Sequence, residues 1–117
     1  MKRVLIGIVS VFAVVAFAGV ASAQDAAKIA KGEKVYADQK CSLCHSVAGK
    51  GNPKGSLDGI GAKLKAEEIR EWIVNPAEMA TKAKAERKPA MPAKYKDLPK
   101  ADLDNLVAYL SSLKAAK

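Results

Sequence analysis

Cys41, Cys44 and His45 are the chain's two cysteines and its single histidine, and they fall together in Cys41-Ser42-Leu43-Cys44-His45. This C-x-x-C-H spacing is that of c-type haem attachment. Two thiols one helical turn apart can form thioethers to the vinyl groups along one edge of a porphyrin, and the imidazole next in line then reaches the iron as an axial ligand. Other uses of these side chains fit less well. A structural zinc site wants four ligands, usually Cys and His, and the chain has too few. A thioredoxin-like dithiol sits at a helix start after a strand, and no strand pattern precedes Cys41. A simple disulfide leaves His45 without a role.

An iron closed on both faces needs a second axial ligand from elsewhere in the sequence. With no second histidine, the thioethers of Met79 and Met91 remain once Met1 is set aside with the N-terminal run. Methionine sulfur suits low-spin haem iron and holds its potential high. Met91 is the choice. It lies between Pro89 and Pro92, so its backbone cannot continue a helix and has little freedom left to lose. Met79 follows the second helical pattern in an alanine- and lysine-rich stretch, where a core or haem-edge contact accounts for it. A lysine ligand would first have to lose its proton, far from its ordinary pKa of about 10.4.

The elements that must position these groups read as helices. Met1-Lys2-Arg3, the apolar run Val4 to Val20 and the small residues Ala21-Ser22-Ala23 form a secretory signal pattern over 1–23, with cleavage expected after Ala23 and a domain over 24–117. The competing reading is a retained membrane anchor, for which the run is short. Ile29, Gly32, Val35 and Tyr36 recur at helical spacing from Asp25 to about Gln39, with Asp25 as the expected N-cap. Gly49 to Gly61 is a glycine-rich loop whose backbone can approach a flat ligand closely. It does not match the spacing of a phosphate-binding loop, and no strand leads into it. Lys65 to Val74 reads as a second amphipathic helix with Ile69, Trp72 and Ile73 inward, ended by Asn75-Pro76. A closing helix from near Pro99 carries Leu103, Leu106, Val107, Leu110 and Leu113 as one stripe.

In this order the motifs resemble the small class I c-type cytochromes, the single-haem electron carriers. The resemblance covers residues 25 to 114. It rests on Gly32 and Tyr36 before Cys41-x-x-Cys44-His45, the glycine-rich loop, Glu68-x-x-x-Trp72-Ile73-x-Asn75-Pro76, Met91-Pro92 and Leu106-Val107-Ala108-Tyr109-Leu110. It implies an all-α fold, three main helices plus loops wrapped around one covalently bound haem c. It further implies that Gly32 lets the closing helix cross near Tyr36 and Tyr109. Pro53 would offer its carbonyl to the other ring nitrogen of His45, the kind of contact that fixes an imidazole ligand. Leu57 and Ile60 are expected on the haem pocket wall. Trp72 and Tyr95 are expected there too, either as core or, for the Trp72 indole, as a donor to a haem propionate.

The functional expectation is a periplasmic one-electron carrier rather than an enzyme. Its partners would be redox proteins with acidic docking faces, because Lys82, Lys84, Arg87, Lys88, Lys94, Lys96 and Lys100 surround Met91 with only Glu86 and Asp97 opposing them. The formal net charge is +8, from 20 Lys and Arg against 12 Asp and Glu; loss of residues 1–23 removes two of the cations. Nucleic acid is set aside, since no basic helix interleaved with aromatics exists and an exported chain does not meet it. A monomer is expected, with no stable membrane insertion once the leader is removed. Two alternatives stay open: a haem enzyme or gas sensor with a free sixth iron position, and a membrane-tethered subunit of a respiratory complex.

Overall fold

Good helix formers dominate the stretch around Ala26 to Asp38, and the residues before it are alanine-rich as well. The computed structural model describes residues 18–114, with side-chain surroundings from Asp25 onward. Within it, α1 runs over Ala18–Asp38. The expected leader falls outside the described residues over positions 1–17, as do the side chains around the expected cleavage point at Ala23. Asp25 is therefore not an N-cap here: with the preceding residues attached, their alanines carry the helix back past it. At the other end Lys40 takes a left-handed conformation (φ 56°), which turns the chain out of α1 and into the cysteine motif.

Cys41–Leu43 forms a 3₁₀ turn. Two short strands follow, β1 (Ser46–Val47) and β2 (Lys50–Gly51), paired antiparallel with Ser46 opposite Gly51 and Val47 opposite Lys50. The glycine-rich loop continues through a 3₁₀ turn at Pro53–Gly55 into the one-turn α2 (Ile60–Lys63). Helix α3 covers Ala66–Val74, with Glu67 and Glu68 in its positive first turn and the Glu68 carboxylate accepting from the Lys65 N–H at 3.2 Å.

Asn75-Pro76 ends α3, as its sequence implies, but Pro76 also opens a further helix, α4 (Pro76–Ala83). Proline suits the first helical position because the N–H it lacks would be unbonded there anyway. The three-helix expectation is thus one substantial helix short, and Met79 belongs to α4 rather than to a connecting stretch. A 3₁₀ segment at Ala93–Asp97 then leads to α5 (Lys100–Ser111), with Pro99 immediately before its first turn.

The core is the meeting of α1, α3 and α5. Gly32 makes the α1–α5 crossing possible: a Cβ there would collide with the Asn105 carbonyl and crowd Tyr109. Beside it the Tyr36 and Tyr109 rings meet edge to face, centroids 5.6 Å apart and planes at 65°. Ile69 and Ile73 of α3 and Leu106 of α5 are the best-buried side chains, each 3 % exposed, and no large side chain among the described residues is excluded from solvent entirely. These three side chains also line a cavity at the centre of the fold.

Candidate functional site

The Cys41 turn is built by its own backbone: the Cys44 and His45 N–H groups both donate to the Cys41 carbonyl, at 3.1 and 2.9 Å. Asn52 then fastens the following loop to it. Its N–H reaches the Ser42 and His45 carbonyls at 3.1 and 2.9 Å, and its side-chain amide donates to the Leu43 carbonyl at 3.2 Å. The Asn52 side-chain oxygen accepts from the Lys54 N–H at 3.0 Å, which starts the turn that Pro53 enters. Asn-Pro is a turn-initiating pair, so the sequence carried this signal.

His45 donates from Nδ1 to the Gly55 carbonyl at 3.0 Å. The expected acceptor, the Pro53 carbonyl, does not have this role; Pro53 heads the 3₁₀ turn, and the turn delivers the carbonyl at its far end to the ring. With Nδ1 carrying the proton, Nε2 keeps its lone pair for a metal. Burial pushes the imidazole below its ordinary pKa, the Gly55 carbonyl opposes this, and the charge of Arg87 adds to the lowering. His45 is accordingly neutral at neutral pH, the form that binds iron.

Two cavities, of about 310 and 410 Å³, adjoin at this point, and Cys41, His45, Trp72, Met91 and Tyr95 contribute to the walls of both. Tyr36, Leu57, Ile60, Ile69, Ile73 and Leu106 line the first, a nearly wholly apolar space. Cys44, Lys40, Arg87 and Pro89 line the second. Met79 lines neither. The structure thus gathers Cys41, Cys44, His45, Met91, Leu57, Ile60, Trp72 and Tyr95 around one divided space, and leaves Pro53 out of its walls. Sequence reading missed Asn52, Gly55 and the approach of Arg87.

Cys41 and Cys44 form no disulfide with each other. Burial pushes the Cys41 thiol up to about 11, so it is protonated at neutral pH, unlike the low-pKa attacking thiol of a disulfide oxidoreductase. Burial likewise raises the Tyr36 phenol to about 12, with the neighbouring Cys41 adding to the effect. The Tyr36 hydroxyl is buried and has no hydrogen-bond partner among the described residues.

A model of the Cytochrome c family matches residues 29–114. The chain belongs to the cytochrome c family. Searches of curated proteins and of solved structures found no match. The all-α cytochrome c fold, a covalently attached haem c with its iron, and haem-based electron transfer follow from membership. The residues present suit that group. Two thiols, an imidazole with one nitrogen tied and the other free, and a thioether share the walls of adjoining cavities, and a flat, mainly apolar ring system matches the lining. Among the described residues no helix is long and apolar enough to cross a membrane.

Proposed function

We propose that this cytochrome c is an exported, periplasmic, monomeric one-electron carrier, with haem c joined to Cys41 and Cys44 and its iron held between His45 and Met91. The observation that carries the reading is the placement of His45 and Met91 on the walls of the same two cavities, with His45 Nδ1 tied to Gly55. When bound, haem c supplies a one-electron iron couple. The protein's own residues do the rest. The Gly55 carbonyl holds the imidazole in one tautomer and orientation and raises its basicity. Leu57, Ile60, Ile69 and Leu106 keep water from the ring. Met91, between two prolines, fills the position that a substrate or gas would otherwise take.

The docking face in this proposal is the cationic margin around the second cavity. Arg87 and Lys88 line that cavity, and Lys84, Lys94 and Lys96 stand exposed nearby in sequence. Lys82 and Lys100 contribute less than the sequence suggests, because Glu78 and Asp104 pair with them at 3.2 and 3.3 Å. Acidic redox partners would be steered to this margin.

The test is carbon monoxide. The reduced, haem-loaded protein is expected to resist it at neutral pH, the Met91→Ala variant to bind it readily, and Met79→Ala to behave as the parent. Ready binding by the parent would instead support an open-site enzyme or sensor. N-terminal sequencing of the exported protein decides the leader: Gln24 as first residue supports cleavage after Ala23, and an intact Met1 supports a tether.

A further inference from the structure

From Glu86 to Met91 the backbone forms no hydrogen bond to the rest of the described protein. The segment is exposed up to Ala90, and only at Met91 does it turn partly inward. One side chain in it reaches a distant part of the site. The Arg87 guanidinium lies against Gly55: a Cβ on that glycine would collide with Arg87 Nη1 and with the Cys44 carbonyl, and Arg87 Cζ would stand 3.0 Å away. Gly55 is the residue whose carbonyl holds His45. Its lack of a side chain therefore makes room for a cation from the segment that carries Met91.

We propose that Arg87 is a positioning residue, a clamp that holds the Met91 segment onto the loop that orients His45. The inference rests on the axial roles given to these two residues above. It touches neither residue directly. It acts through Gly55 on one side and through four residues of chain on the other. The flat guanidinium is suited to lie on a glycine backbone beside a carbonyl, whereas a lysine ammonium is a compact, strongly hydrated charge on a flexible stem. Charge alone is thus not enough, and Arg87→Lys is expected to fail nearly as fully as Arg87→Gln.

Two readouts on the haem-loaded protein test this. The first is the rate of carbon monoxide uptake by the reduced form; the second is solvent exchange of the His45 Nδ1 proton, followed by NMR. Arg87→Gln and Arg87→Lys should each accelerate both by roughly tenfold, the lower end of what losing a group that orients a metal ligand costs. Glu86→Gln, which changes a charge on the same exposed segment at a residue lining neither cavity, should change neither. Parent-like behaviour of Arg87→Gln, or an equal effect of Glu86→Gln, overturns the clamp while leaving the axial assignment intact. Rapid gas uptake by the parent overturns the assignment of Met91; the proton exchange then still decides whether Arg87 steadies the His45 loop.

Discussion

At the scale of single residues the site depends on two glycines. Gly55→Ala would drive a methyl group into Arg87 and the Cys44 carbonyl, so the His45 hydrogen bond should lengthen or break. A ten- to hundredfold weaker hold on the axial ligands, about what removal of such an orienting partner costs, is the expected outcome in ligand-displacement assays on the haem-loaded protein. Gly32→Ala sets two effects against each other. Alanine gains about 1 kcal/mol of helix propensity, while the collision with Asn105 costs about 1–3 kcal/mol as overpacking. The collision is with backbone, which cannot swing aside, so net destabilisation is expected in denaturant unfolding. Cys41, Cys44 and His45 were legible because their chemistry is written in adjacent positions. The acceptor for His45 was not, because every residue carries the same carbonyl and only the turn at Pro53–Gly55 selects one.

At the scale of elements, helices with clear apolar spacing were legible and α4 was not. Asn75-Pro76 marks a boundary, but the sequence does not say whether a loop or another helix follows, and the short, alanine-rich α4 has only Met79 as a large apolar side chain to mark an inward face. The fourth helix narrows the reading of Met79, which it holds away from both cavities. Leu106→Ala, at a side chain 3 % exposed on the wall of the nearly wholly apolar first cavity, should cost about 2–5 kcal/mol in denaturant unfolding. Between α3 and α5, Arg70 and Asp104 form an ion pair at 2.5 Å. The Arg70 hydrogen bond, with help from Lys100, holds the Asp104 carboxyl below its ordinary pKa. A carboxylate lowered on folding stabilises the protein above its unfolded pKa and loses that contribution as pH falls through its folded value. Arg70→Gln should therefore be less stable than the parent at neutral pH, with the gap closing in acid; urea midpoints across that range measure it. The effect should be small, because both side chains are about one-third exposed.

At the scale of the whole molecule, charge governs encounter. The electron-transfer rate with an acidic partner should fall as salt rises, since screening reaches about 10 Å at 0.1 M. Stopped-flow rates over a salt series test this, and a flat profile counts against the cationic docking face. The structure sharpens the expectation among individual lysines: Lys88→Gln should slow association more than Lys82→Gln, because Glu78 already pairs with Lys82. The cluster was visible in sequence as a density of charge; its internal pairing required knowing which helix carried each residue.

The crossing at Gly32 joins α1 to α5, two elements from opposite ends of the stretch matched by the family. During synthesis Asn105 emerges long after the cysteine motif, so the two helices cannot pair until nearly all of the domain has left the ribosome. Closure of the fold therefore waits on the last helix to be made, a pairing of high sequence separation.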